Sequence, residues 1–159
     1  MLSDSKIRFF LVFLLLSIFL NSCNKEKNDV IPYTYVSFTL NLDDPEFVNL
    51  NSTFGSVIVN ASTNNWKYSG GFNNNGIIIF NGGGQFYAYD RTCPHDYAIN
   101  NINNARVNIV DLIYAECPIC KTRYVLANFG TPTSDTIGRY PLKNYRTIIN
   151  GNSVTVSNY

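Results

Sequence analysis

Charge is scarce in this sequence. Only 14% of the residues are charged, with 12 Lys and Arg against 11 Asp and Glu, and the formal net charge is +1. Domains that bind nucleic acid usually carry a clustered basic surface, and no basic cluster follows the first twenty-two residues. The composition therefore argues against a nucleic-acid partner and predicts a neutral surface built from Asn, Ser and Thr.

The sequence has no internal repeat, and apolar residues at helical spacing are almost absent. From Ile31 onward the chain shows short β-branched and aromatic runs separated by Gly, Asn and Pro, which is typical of strands. The glycine-rich stretch Asn81-Gly82-Gly83-Gly84 separates two such runs and predicts a hairpin. A second hairpin is predicted across Asn150-Gly151-Asn152.

The predicted strands are short and numerous. They cover Tyr33–Leu42, Ser56–Asn60, Gly76–Phe80, Gln85–Tyr89, Arg106–Asp111, Leu112–Ala115, Arg123–Leu126, Tyr145–Ile149 and Val154–Ser157. Short strands in this number predict an all-β domain, a small antiparallel barrel or sandwich.

The N-terminus has the features of an export signal. Lys6 and Arg8 precede an apolar run from Phe9 to Leu20, which is too short to span a bilayer, since spanning needs about 20 residues. The following Leu20-Asn21-Ser22-Cys23 resembles a bacterial lipobox. We expect a lipoprotein signal peptide over residues 1–22, lipidation at Cys23, a solvated tether over 23–30 and one domain over 31–159. The alternative is an ordinary signal peptide that leaves Cys23 as a free thiol.

This leader predicts an exported protein that a lipid holds to a bacterial cell membrane, on the periplasmic side or at the outer membrane. Removing residues 1–22 lowers the formal charge from +1 to 0. The domain that remains is neutral and polar.

Four soft metal ligands lie in two short segments. The first segment is Cys93-Pro94-His95, and the second is Cys117-Pro118-Ile119-Cys120. Each segment follows a predicted strand, so we expect the two ligand loops at adjacent hairpin tips, where they can hold one site between them. Cys and His in this spacing predict a metal or iron–sulfur site.

The stretch from Gly76 to the C-terminus resembles the Rieske domain. The resemblance lies in Phe86-Tyr87-Ala88-Tyr89-Asp90-Arg91-Thr92-Cys93-Pro94-His95, in Cys117-Pro118-Ile119-Cys120-Lys121-Thr122-Arg123-Tyr124, and in the later Gly130-Thr131-Pro132 and Tyr140-Pro141-Leu142. It implies a [2Fe–2S] cluster, with Cys93 and Cys117 on one iron and His95 and Cys120 on the other. It also implies one-electron transfer to a redox partner protein, and places Thr122 where a hydroxyl hydrogen-bonds the cluster.

The chain departs from that family at Cys120, which stands in the place of the second histidine. A thiolate there adds one negative charge, so the resemblance implies a potential between those of His-pair clusters, about −150 to +300 mV, and all-Cys clusters, near −400 mV. Lys121 replaces a glycine, and residues 135–138 replace a Gly-Pro-Ala loop that shields the cluster. His95 is the only histidine, which excludes the mononuclear iron site of a Rieske oxygenase and favours an electron carrier over an enzyme.

Two other interpretations stay open. Cys93, His95, Cys117 and Cys120 also form a Cys3His donor set for a structural zinc that transfers no electron. Alternatively the domain holds no metal, and Cys117 and Cys120 form a disulfide in the oxidising exported compartment. Either case would make the chain a non-redox structural or interaction module.

Overall fold

The computed structural model describes residues 30–62 and 66–158. The predicted signal peptide, the lipidation site Cys23 and nearly all of the tether lie outside the described residues. Among the helices of the described ranges, none has the length and apolar character that crossing a membrane requires.

The described chain is mainly antiparallel β-structure. Its strands are β1 (Ser37–Asn41), β2 (Ser56–Val59), β3 (Ile77–Asn81), β4 (Phe86–Asp90), β5 (Asn108–Val110), β6 (Tyr114–Glu116), β7 (Arg123–Val125), β8 (Thr131–Pro132), β9 (Asn144–Asn150) and β10 (Ser153–Ser157). They form a six-stranded sheet in the order β1-β10-β9-β4-β3-β2 and a four-stranded sheet in the order β5-β6-β7-β8. The prediction of a small antiparallel all-β fold is confirmed.

Both predicted hairpins are present. β3 pairs with β4 across the glycine turn, where Gly83 and Gly84 have φ of 94° and 100°, values that glycine adopts without steric cost. β9 pairs with β10 across Gly151, whose φ is 57°. The predicted strands therefore meet at the turns that the sequence indicates.

β3 has no solvent-exposed face, since all five of its residues are buried. Its side chains alternate between two apolar clusters. Ile77 and Ile79 belong to the first core, which consists of Val36, Phe38, Leu40, Phe47, Leu50, Val59, Ile77, Ile79, Phe86, Ala88, Tyr145, Val154 and Val156. Ile78 and Phe80 belong to the second core, which consists of Ile78, Phe80, Tyr89, Cys93, Ala105, Val107, Ala115, Cys117, Tyr124, Leu126 and Leu142.

Within residues 30–62 and 66–158, three helical segments lie between the strands. Two are 3₁₀ helices, over Pro45–Asn51 and Phe72–Asn74. The third is helix α1, over Pro94–Asn100, where the sequence predicts only a ligand loop. Proline is favoured at the first helical position because its fixed φ suits the helix, and Asn101 ends α1 in the left-handed conformation with φ of 53°. A helix of seven residues is too short to produce a helical period in the sequence.

Candidate metal centre

The second cysteine loop is the tip of the β6–β7 hairpin. The backbone N–H of Cys117 donates to the carbonyl of Thr122 at 2.9 Å, and the N–H of Lys121 donates back to the carbonyl of Cys117 at 2.9 Å. Lys121 has φ of 59°, the left-handed conformation that favours glycine. This tight turn brings the thiols of Cys117 and Cys120 to the same side of the hairpin.

The first cysteine loop leads directly into helix α1. Cys93 is the residue that precedes the helix, and its carbonyl accepts the N–H of Tyr97 at 3.0 Å. The N–H of Cys93 donates to the carbonyl of Ala105 at 2.9 Å, and Thr92 forms an antiparallel bridge with Arg106. The helix is therefore fixed between two antiparallel segments, with its first turn next to the second cysteine loop.

Four side chains converge between the two loops. Ligand atoms of Cys93, Asp96, Cys117 and Cys120 all lie within 4.8 Å of one another. The Sγ atoms of Cys93 and Cys120 are 3.6 Å apart, and the thiol of Cys117 donates to Oδ2 of Asp96 at 2.9 Å. Cys93, Asp96 and Cys117 are fully buried, whereas Cys120 is partly exposed. The three cysteines are free thiols.

Asp96 is the member of this group that the sequence patterns do not predict. The structure brings together three of the four predicted ligands, Cys93, Cys117 and Cys120, whereas half-buried His95 is not in this group. Residues three apart on a helix share a face, and residues two apart do not. Had the helix been predicted from Pro94 and from the pair Asn100-Asn101, its spacing would have placed Asp96 on the same face as Cys93.

Polar side chains surround the four groups. The thiol of Cys120 donates to Oγ1 of Thr122 at 3.2 Å, and the hydroxyl of Tyr124 lies 3.4 Å from Sγ of Cys93. Asn100 donates from Nδ2 to Oδ1 of Asp96 at 2.8 Å. Partners of this kind orient the ligands in metal sites.

The surroundings shift the pKa values of the four groups in opposite directions. The hydrogen bond with Cys117 and burial raise the pKa of Cys93, and the same contact lowers the pKa of Cys117. Burial raises the pKa of Cys120. Burial alone would raise the pKa of Asp96, but hydrogen bonds from Cys117 and Asn100 hold that pKa below its usual value. An ionised buried carboxylate beside three thiols creates a demand for positive charge, which a cation would meet.

The donor atoms fit a thiophilic metal. Thiolate sulfur suits both zinc and iron–sulfur clusters, and a carboxylate oxygen is an accepted zinc ligand. With metal–sulfur bonds of about 2.3 Å, two sulfurs on one tetrahedral ion lie roughly 3.8 Å apart. The 3.6 Å between Cys93 and Cys120 corresponds to two donors on one ion, although the Rieske resemblance assigns these residues to different irons.

Gly138, in the segment over residues 135–138, packs against Thr122 beside this site. A Cβ atom added to Gly138 would lie 2.2 Å from Cγ2 of Thr122, so only glycine allows this close approach. Ile119, in the second cysteine loop, is 51% exposed. The centre is therefore covered on the Thr122 side and lies close to the surface beside Ile119 and Cys120.

No family model matches the chain, and no curated protein sequence matches it. Among solved structures, the chain is similar to a protein named as the small subunit of an NADPH nitrite reductase, with 18% identity and a TM-score of 0.40, over 78% of this chain and 98% of the other. It is similar to the ferredoxin of carbazole 1,9a-dioxygenase from Nocardioides aromaticivorans, with 18% identity and a TM-score of 0.41, over 68% and 100%.

A third similarity is to a chain from the complex of reduced oxygenase and oxidized ferredoxin of carbazole 1,9a-dioxygenase. Its identity is 19% and its TM-score is 0.44, over 67% of this chain and 82% of the other. With values this low, none of these proteins' activities transfers to this chain.

Proposed function

We propose that this chain is an exported, lipid-anchored electron carrier of the Rieske type, with an iron centre between its two cysteine loops. The observation that supports this proposal is the convergence of three thiols and one carboxylate from two separate loops within 4.8 Å. The buried Asp96 carboxylate beside these thiols is costly without a cation. Iron bound to thiolates supplies reversible one-electron chemistry, which is the role proposed here.

A partner would dock over the loop tips. Cys120 is partly exposed, and the two elements that carry the donors also carry exposed apolar side chains, Ile99 on α1 at 61% and Ile119 at 51%. Apolar residues surrounded by polar ones are common at the centre of protein interfaces. We expect a redox partner protein to cover this tip and to accept or supply the electron through the Cys120 side.

The form of iron implied by the Rieske resemblance is a [2Fe–2S] cluster. Three thiolates make the centre more negative than a cluster with two histidines, so the reduction potential is expected below about −150 mV. Holding two irons would require the sulfurs of Cys93 and Cys120 to separate from their 3.6 Å contact. Two irons per chain would show that these two sulfurs separate when the cluster binds.

The test is the metal content and spectrum of the whole chain, purified in detergent under anaerobic conditions. A [2Fe–2S] centre predicts two irons and two acid-labile sulfides per chain, visible absorption that bleaches with dithionite, and an EPR signal in the reduced state. A Cys120→Ser variant should lose or shift that spectrum. Ser56→Ala, on β2 of the six-stranded sheet, is the control and should leave the spectrum unchanged. Zinc without iron in the anaerobic preparation would contradict the electron-carrier proposal.

A structural zinc is the second candidate, because the four ligand atoms lie within 4.8 Å of one another and the Sγ atoms of Cys93 and Cys120 are 3.6 Å apart, close to the separation of two sulfurs on one tetrahedral ion. Such an ion would fix α1 to the β6–β7 hairpin and carry no electron. One zinc per chain, with no EPR signal after reduction, is its signature.

The proposed lipid anchor has a separate test. Replacing Cys23 by Ala should release the chain from the membrane fraction, and the mature wild-type protein should show the mass of attached acyl chains. A Cys23→Ala variant that still sediments with membranes would contradict the anchor while leaving the metal centre unaffected.

A further inference from the structure

We infer that Asp96, and not His95, is the fourth ligand of the metal centre, so that the donor set is Cys93, Asp96, Cys117 and Cys120. This inference rests on the proposed presence of a metal, but it does not depend on whether that metal is iron or zinc. Its basis is the position of the carboxylate. Oδ2 of Asp96 lies 2.9 Å from Sγ of Cys117, within the group of four ligand atoms.

The first turn of helix α1 explains why the side chain of Asp96 lies beside that of Cys93. Cys93 precedes the helix and Asp96 is its third residue, so the two side chains are three positions apart and lie on one face. His95 is two positions from Cys93 and does not belong to the group of four ligand atoms. The bond from Tyr97 N–H to the Cys93 carbonyl, at 3.0 Å, closes this first turn and fixes the spacing.

The two halves of the site then have the same spacing. Cys93-Pro94-His95-Asp96 and Cys117-Pro118-Ile119-Cys120 each place two donors three residues apart with proline after the first. In each half a turn directs both donors to one side, as the paired segments of tetrahedral zinc sites do. His95 and Ile119 occupy the same place in the two halves, the position before the second donor.

Asp96 also has the outer partner that a metal-binding carboxylate needs. Its side chain is fully buried, and Asn100, one turn later on α1, donates to Oδ1 at 2.8 Å. That bond leaves Oδ2 directed at the thiols. A carboxylate held through one oxygen by an amide, with the other oxygen facing the site, is oriented as a ligand.

The test is a Co²⁺ titration of the whole chain in detergent, after removal of its native metal with a chelator and under anaerobic, reducing conditions. Co²⁺ is the probe because its visible bands report tetrahedral geometry and its near-ultraviolet charge-transfer band reports the number of thiolates. Loss of an outer partner in a metal site typically costs 10–100-fold in affinity. Asp96→Asn, which removes a direct donor, should weaken Co²⁺ binding by more than about 100-fold.

Three further variants make the result specific. His95→Asn is the matched control on the neighbouring residue and should change Co²⁺ affinity by less than about 3-fold, since a residue outside the donor set contributes little. Asn100→Ala should weaken binding by about 10-fold through loss of orientation. Asp96→Cys should restore tight binding and increase the charge-transfer absorption by about one third, because four thiolates replace three.

Asp96→Cys also separates ligand loss from misfolding, since a variant that misfolds cannot gain a fourth thiolate band. The inference is overturned if His95→Asn loses Co²⁺ while Asp96→Asn keeps it, or if Asp96→Cys binds no more tightly than Asp96→Asn. Failure of the electron-carrier proposal would appear separately, as zinc in the native protein, with the Co²⁺ results unchanged.

Discussion

The two cores on either side of β3 are built differently. The first core is enclosed by the six-stranded sheet and the 3₁₀ helix over Pro45–Asn51, and almost all of its side chains are aliphatic or aromatic. The second core contains Cys93 and Cys117 and borders buried polar groups, among them Thr92, Asp96 and Thr122. The first core is stabilised mainly by apolar burial. The second includes the four grouped donors, which a metal would satisfy under the proposed function.

The largest expected effect is the loss of one thiolate from the second core. We expect Cys117→Ser to abolish metal binding and to unfold the cysteine region locally, because structural zinc sites contribute about 10–16 kcal/mol to small folds. Hydrogen exchange should accelerate in β5 to β8 and α1, while β1, β9 and β10 stay protected.

Ala115→Ser is the matched control, since it adds a hydroxyl to the same buried core without removing a donor. It should keep the metal at a stability cost of about 1–3 kcal/mol. Equal acceleration of exchange in both sheets of Cys117→Ser would show that the two cores unfold as one unit.

A second comparison uses adjacent residues of β3. Ile79→Ala removes a side chain from the first core and Ile78→Ala removes one from the second, and both residues are fully buried. Each change should lower the free energy of unfolding by about 2–5 kcal/mol, measured by denaturant titration. Only Ile78→Ala should also weaken metal binding. If Ile79→Ala weakens it equally, the cores are not independent.

The sequence predicts the strands with alternating apolar residues and the hairpin turns of this fold. Both hairpins follow from their glycines, and strands such as β4 and β10 lie within one residue of their predicted bounds. Helix α1 could not be predicted from periodicity, since seven residues form barely two turns and its apolar side chains follow no repeat. Because α1 was missed, Asp96 was missed, since its proximity to the cysteines depends on helical spacing.

The third prediction concerns Asp90, which connects the two cores. Its Oδ2 accepts hydrogen bonds from the Tyr145 hydroxyl and the Phe72 N–H, both at 2.7 Å, and its Oδ1 accepts the Thr92 N–H at 2.9 Å. Tyr145→Phe leaves this buried carboxylate with one partner fewer. The expected cost is about 1–3 kcal/mol in the free energy of unfolding.

The same variant should change the response to alkali. Burial and the neighbouring Asp90 charge raise the pKa of Tyr145. The folded pKa is above that of the unfolded chain, so this contribution to stability is complete below about pH 10 and is lost as the pH rises further. The difference in unfolding free energy between wild type and Tyr145→Phe should therefore shrink above pH 10. A difference that stays constant to pH 12 would contradict this assignment.

The smallest expected effect is a gain. Lys121 is exposed and holds a positive φ of 59° in the second cysteine loop. Lys121→Gly relieves this conformation and should stabilise the fold by about 0.5–1 kcal/mol in denaturant titration, with metal affinity unchanged. Lys67→Gly, at another exposed position, serves as the control and should bring no gain. Destabilisation by Lys121→Gly would show that the lysine side chain itself supports the loop.

The two buried faces of β3 have a consequence for strand register. In most strands a slip of one residue is prevented because it turns apolar side chains into water. In β3 the slip would move Ile77 and Ile79 into the second core and Ile78 and Phe80 into the first. Apolar side chains would still face apolar surroundings, so the pattern of apolar residues opposes the slip only weakly. The register must then be set at the end of the strand, where Asn81 donates to the Leu50 carbonyl at 2.9 Å and accepts two turn N–H groups. One asparagine thus keeps each isoleucine in its own core.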